Sequence, residues 1–296
     1  MRFTAWLVLI ATLLLWSGNW IVARAVRDDI APGIATVGRL AIVLAILLPF
    51  AWAGMRRKLP QLSPRNWKVL AAMGFTGGGL HLALQWLGLH YTTATSGILY
   101  LSMSPIFILM MAPALGERIG PRQWGGVAIS FCGVYLIATQ GRPTVPSFNI
   151  GDLMALASMV MWAGYTVLLR VRRDALSVIE LIVMVCAFGA VFMAPWLLWE
   201  SMFNPKMNLN LRGALAVLYS AVGSLLLAYA GWSYVVRRLG AARAGVTLHL
   251  MPAMGVVLAA VLLGEYPSWF HFAGIALILA GVALSSFRAS SVSSTR

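Results

Sequence analysis

Acidic residues are scarce in this chain: 8 Asp and Glu stand against 22 Lys and Arg, and charged residues make up only 10% of its 296 positions. That little charge cannot clothe a soluble fold, because 60% of the residues are hydrophobic and mean hydropathy is +0.85. The apolar stretches must face lipid or each other. Cysteine is nearly missing too. Cys132 and Cys186 both fall inside apolar runs, so neither reports a redox compartment, and both are expected to be buried thiols acting as small hydrophobes. No Gly-x4-Gly-Lys-Ser/Thr loop is present, which excludes that kind of ATP site. The four His and two Cys show no metal-ligand spacing, and no Ser/His/Asp set suggests chemistry. Catalytic residues, a cofactor and a metal are therefore not expected.

What the chain has instead is positive charge, with a formal net of +14 and a pI near 10.9. Nucleic acid is the usual partner of such a balance, but here the basic residues sit in short clusters between apolar runs, such as Arg56-Arg57-Lys58, Arg172-Arg173 and Arg237-Arg238. Juxtamembrane clusters of this kind follow from the positive-inside rule, so no nucleic-acid partner is expected. The first apolar run carries Trp16 and Trp20, lacks a small-x-small cleavage site and is followed by many more, so it reads as a helix and not a signal peptide.

Breaks at charge and Pro/Gly clusters divide the chain into ten runs of about the roughly 20 residues that a span needs: 4–23, 33–53, 69–89, 93–113, 123–140, 151–169, 178–199, 213–236, 243–263 and 268–287. Sixteen of the Lys and Arg lie at the two termini and in the even-numbered loops, and five in the odd-numbered loops. That bias puts both termini in the cytoplasm of a multi-pass protein of the bacterial inner membrane. None of the eight acidic residues falls at mid-span: Asp28, Asp29, Asp152, Glu200 and Glu265 are placed outside, and Glu117, Asp174 and Glu180 at the cytoplasmic face.

The chain also repeats itself. Trp16-x-Gly18-x5-Arg24 returns as Trp162-x-Gly164-x5-Arg170, and Gly116-Glu117-x8-Gly126-x6-Gly133 returns as Gly264-Glu265-x8-Gly274-x6-Gly281. Five spans is an odd number, so the second copy enters from the opposite side. Inverted repeats of this kind characterise secondary transporters, with a substrate site near the midplane where the repeats meet. The expected fold is therefore all-α: ten transmembrane helices as two inverted five-helix repeats around a central cavity. The first repeat covers 4–140 and the second 151–288, followed by a short cytoplasmic tail at 289–296.

Two five-helix halves, each ending in Gly-Glu-x8-Gly-x6-Gly, resemble the drug/metabolite transporter superfamily. They look like its EamA-type exporters, and among these the YddG-type aromatic amino acid exporters. The resemblance covers 4–287. It implies a basket of helices around the cavity, with helices 5 and 10 outside at the repeat or dimer packing surface.

Helix 3 carries Gly74, Gly78, His81, Gln85 and Gly88 on one stripe. The stripe reads either as a glycine packing seam with His and Gln as interhelical glue, or as a cavity wall that meets polar substrate atoms. The repeat places Tyr229 opposite His81 and Ser233 opposite Gln85. Trp16 and Trp162 lie deep in equivalent helices, near Asn19 and Tyr165. Tyr100 and Ser104 precede Pro105 in helix 4, and His249 precedes Pro252 in helix 9; the two prolines are candidate hinges, since each frees a backbone carbonyl. Trp16, Asn19, His81, Gln85, Tyr100, Ser104, Trp162, Tyr165, Tyr229, Ser233 and His249 are thus the candidate cavity residues. Arg39, inside helix 2, either recognises a carboxylate or bonds freed helix-end carbonyls, and the second role is favoured. The expected function is secondary export of small amphipathic metabolites, foremost aromatic or large neutral amino acids. Carriage of another metabolite or drug class, a membrane-embedded enzyme and a channel are its rivals. A small-molecule substrate and membrane lipid are the expected partners, and monomer or homodimer is left open.

Overall fold

The computed structural model describes residues 2–111, 113, 120–142, 149–172, 174–203, 210–239 and 250–286. Among them the chain forms ten runs of helix. These are α1 (Arg2–Ala25), α2 (Pro32–Lys58), α3 (starting at Pro64–Met73), α4 (starting at Ala94–Tyr100) and α5 (Pro121–Ala138), then α6 (Ile150–Val171), α7 (Val178–Phe203), α8 (starting at Leu211–Leu218), α9 (Leu250–Leu263) and α10 (Trp269–Ser286). Stretches 4–25, 32–61, 150–169, 178–203 and 211–232 are long and apolar enough to cross a membrane, and the shorter helices over 94–110, 250–263 and 269–284 are apolar as well. The chain is a multi-pass membrane protein.

Helix starts follow local chemistry. Ser63, Thr93, Asn149 and Asn210 each accept a hydrogen bond from the backbone N–H three residues on, satisfying one of the orphan donors of a first turn. At the head of α7, Ser177 Oγ accepts from Glu180 N–H while Glu180 accepts from Ser177 N–H, a reciprocal box.

Two helices change pitch along their length. α3 widens to a π-helix over Gly74–Leu80 before returning to α-helix at His81–Gly88, and α8 does so over Tyr219–Leu227 before Ala228–Leu239. In α4, a tight 3-10 turn over Leu101–Met103 leads into Ser104–Met111. Pro105 lacks the N–H that would have bonded the Leu101 carbonyl, and Ser104 Oγ donates to that carbonyl instead, at 2.7 Å.

Helix packing pairs α5 with α10 and α2 with α7. α1 packs on α8 and α9, while α6 packs on α3 and α4. α2 and α7 run antiparallel, fastened at both ends. Gly33 N–H donates to Glu200 at 2.7 Å, and Lys58 pairs with Glu180 at 2.7 Å. A carboxylate at the start of α2 also suits the positive end of that helix. Between α5 and α10, a Cβ added at Gly133 would strike the Gly274 carbonyl, and one at Gly281 would strike the Gly126 carbonyl, so the backbones touch reciprocally.

One expectation is corrected. Cys132 is exposed; only Cys186 is buried. In a membrane protein an apolar run packs outward against lipid as readily as inward, so hydropathy does not tell the two apart. Asp152 and Glu200, expected outside the spans, stand near helix ends and are 7% and 4% exposed within the fold. Glu180, expected at the cytoplasmic face, stands in the first turn of α7 and is buried there among its neighbours.

Candidate functional site

Two aromatic clusters flank the middle of the bundle. On one side Trp16 of α1 meets Tyr229 edge-on at 5.8 Å and Trp232 at 5.6 Å, both on α8. On the other, Trp162 of α6 meets His81 of α3 at 5.2 Å and Tyr165 at 5.4 Å. Trp16 Nε1 donates to the Ser224 carbonyl, a carbonyl inside the π segment of α8. His81 and Ser158 clasp α3 to α6. The ring Nδ1 lies 2.9 Å from the Ser158 carbonyl, and Ser158 Oγ donates to the His81 carbonyl at 3.0 Å. That geometry suits an Nδ1–H tautomer and uses up the polar edge of the ring on that side.

Between the clusters lies a small space of about 20 Å³, walled by Gly77, Gly78, Tyr165, Cys186, Leu225 and Tyr229. It is about large enough for one water molecule. A polar chain passes beside it: Arg39 Nη1 donates to Ser220 Oγ at 3.0 Å, Ser220 Oγ to Asn19 Oδ1 at 2.7 Å, and Asn19 Nδ2 to Gln85 Oε1 at 3.4 Å. α1, α2, α3 and α8 are joined by it. Sequence reasoning gave Arg39 helix-end carbonyls as partners; its bond goes to a side-chain hydroxyl. Ser158 and Ser220 were missed altogether, since a lone serine in an apolar run carries no pattern.

The roomier space opens at the odd-loop end, with a volume of about 340 Å³. Arg24, Arg142 and Asp152 bring charge to it, His271 lines it as well, and Thr92 Oγ donates to Asp152. Tyr100 is fully buried, in a core cluster with Val134, Ile137 and Ala155. At this end Arg24 pairs with Glu265 at 3.4 Å, and Glu265 accepts from Thr95 N–H at 3.1 Å at the head of α4. Arg24 also donates to the Leu89 carbonyl at 2.7 Å. Gly264 stands at φ 68°, a left-handed turn that glycine takes without strain, and so ends α9 and aims Glu265 back at the bundle. Arg24 and Glu265 were legible only as marks of the two repeated motifs; in space those motifs meet.

Of the candidate residues, Trp16, Asn19, His81, Gln85, Trp162, Tyr165 and Tyr229 thus converge on the middle of the bundle. Tyr100 is buried in the core cluster of α4, α5 and α10. Ser104 is spent on the Leu101 carbonyl and on Met159 Sδ at 3.2 Å. The Ser233 and Pro105 side chains and the whole of His249 lie outside the described residues. Pro252 is buried in α9, and the residues before Leu250, which its missing N–H would face, lie outside the described residues.

An uncharacterized transporter of Archaeoglobus fulgidus is 29% identical over 95% of this chain and 96% of its own. A probable terminal-alkyne amino-acid exporter of Streptantibioticus cattleyicolor is 25% identical, covering 95% and 92%. A probable amino-acid metabolite efflux pump of Escherichia coli is 22% identical, covering 93% and 92%. One solved crystal structure, 24% identical over 97% of both chains, superposes with a TM-score of 0.62, a shared fold. The EamA-like transporter family matches residues 3–139 and, a second time, 149–287. With nearly its whole length matched in this way, the chain belongs to the EamA-like transporter family.

Proposed function

We propose that this protein is a secondary transporter of the inner membrane that exports amino acids with aromatic or large neutral side chains by alternating access. In this reading ten spans form two inverted repeats, 4–140 and 151–288, and the tail 289–296 is cytoplasmic. The observation that carries it is an exchange pattern in the contacts. Trp16 on Tyr229 has its repeat counterpart in Trp162 on His81, and α1 on α8 and α9 has its counterpart in α6 on α3 and α4. A bundle able to exchange two equivalent packings is what alternating access needs. The aromatic walls and few polar groups suit an amphipathic solute, and two relatives bear amino-acid exporter or efflux names. Trp16, Asn19, His81, Gln85, Trp162, Tyr165 and Tyr229 form the central site; Tyr100 and Ser104 belong to the path above it. An exporter of another metabolite class is the second reading, and no catalytic role is assigned.

Proteoliposomes carrying the protein should exchange labelled phenylalanine or tryptophan at least tenfold faster than empty vesicles. The exchange should persist with a protonophore, because no described carboxylate lies at mid-span to carry a proton. Absence of flux across a panel of neutral amino acids overturns the reading. Orientation has its own check: tags in the loop at residues 59–63 and at the C-terminus should report cytoplasm, and one in the loop at 204–210 periplasm. A periplasmic C-terminus removes the ten-span inverted topology.

A further inference from the structure

A cation without a counter-ion sits in the packed interior. Arg39 is 2% exposed, and none of the described ion pairs includes it. Its Nη1 reaches Ser220, and its Cζ lies 5.6 Å from the centre of the Trp86 ring. Nε and Nη2 have no hydrogen-bond partner. Trp86 Nε1, on a residue also 2% exposed, has none either. The same holds for Thr36 Oγ1, one turn before Arg39 on α2 and 0% exposed.

The acceptors nearby are already engaged. Ser220 Oγ takes the Arg39 proton and gives its own to Asn19 Oδ1, and Gln85 Oε1 takes one from Asn19. The cluster therefore holds a surplus of donors together with a full positive charge, and what it lacks is an anionic acceptor. Leu40, next to Arg39, lines the 20 Å³ space, as do Tyr229 and Cys186. That space is too small for a solute, so the packing described is a closed one, and an anion reaches the guanidinium only when the helices around it part.

We propose that Arg39, with Trp86 Nε1 and Thr36 beside it, is the binding site for the carboxylate of the carried solute. The assignment rests on the amino-acid reading above and names the group by which the solute is recognised. A guanidinium presents two parallel N–H groups to a carboxylate, which fixes the acid end, and the Trp and Tyr walls are left for the side chain.

Thermal shifts of the purified protein in detergent test this, with phenylalanine and tryptophan set against phenethylamine and tryptamine, which lack the carboxylate. The acids should bind at least 30-fold more tightly than the amines to the native chain. In Arg39→Gln the ratio should fall to within about threefold. Arg39→Lys keeps the charge but not the fork, and should retain an intermediate ratio of about fivefold to tenfold; it carries the test if the glutamine variant does not fold. An unchanged ratio in either variant, with the amino acids still bound and carried, overturns the carboxylate site and leaves the transport reading standing. If no amino acid is bound or carried by the native chain, the transport reading itself fails, and this proposal with it. Exchange of chloride for gluconate separates the remaining source: Arg39-dependent stabilisation by chloride with no preference for acids over amines makes the occupant an inorganic anion and overturns the proposal.

Discussion

Replacing Gly189 with valine should leave no stably folded protein. A Cβ at Gly189 would stand 2.6 Å from the Gly78 carbonyl carbon and 3.0 Å from the Gly78 Cα, and one at Gly78 would run into the Val185 carbonyl oxygen. Backbone faces backbone on both sides, so no flexible side-chain end can swing away. The contact is made by the π segment of α3, which packs along α7. Helix association in lipid depends on close packing, so prising these two apart forfeits dispersion along the whole seam. Overpacking costs about 1–3 kcal/mol even where side chains can adjust, and this site should exceed that. A fall in melting temperature of about 10 °C or more, with loss of the monodisperse peak in detergent, is the expected readout. Gly164→Ala is the control, because its nearest neighbour would be Thr76 Cγ2 at an ordinary 3.7 Å. A Gly189→Val protein that melts within 2 °C of the native chain would show that the seam does not hold the bundle.

The second large effect concerns the odd-loop end. Glu265→Gln keeps the volume of the side chain but removes the charge that holds Arg24, and it weakens the acceptor for the head of α4. Charge-assisted hydrogen bonds contribute about 1.5–3 kcal/mol each. Losing part of that on one side of a two-state equilibrium shifts the populations by roughly tenfold. The shift is toward the state in which this end is open. A cysteine at Ile98, on α4 one turn beyond Thr95 and 0% exposed, should then react with a small hydrophilic maleimide about tenfold faster in the Cys-free background. Equal labelling rates with and without Glu265→Gln would mean that the ion pair is surface decoration of the kind that contributes little.

How far the sequence could be read depends on which physics wrote each feature. Apolar runs and their breaks gave the helices closely, because the length of a helix and its cap are local properties. Ser63, Thr93, Asn149 and Asn210 sit where their side chains can reach a first-turn N–H, and a reader needs no partner to see it. The repeated motifs were also legible, and they flagged Arg24 and Glu265 without revealing that the two touch. The π segments were not legible, for Gly74–Leu80 reads as a plain glycine-rich turn of helix until Tyr165 and Gly189 are seen against it. The helix 3 stripe offered two readings. In the packing described its glycines and His81 join helices, and Gln85 ties α3 to α1. Arg39 was seen as costly, but its surplus of donors depends on Ser220 and Trp86, which no spacing rule connects to it.

The α5–α10 seam bears on stoichiometry. Gly133 meets Gly274 and Gly281 meets Gly126, so each glycine face has its match within one chain. An interface that is complementary to itself closes once both copies of the patch are used, and here both copies lie on a single polypeptide. These faces are therefore saturated before any second molecule arrives. An assembly built on α5 and α10 has only their lipid-facing sides to offer, with Trp124 and Phe131 on one helix and Phe272 on the other. Those sides are aromatic and carry no glycine ridge, so such a pairing would be looser and more sensitive to the surrounding lipid than the seam inside the chain.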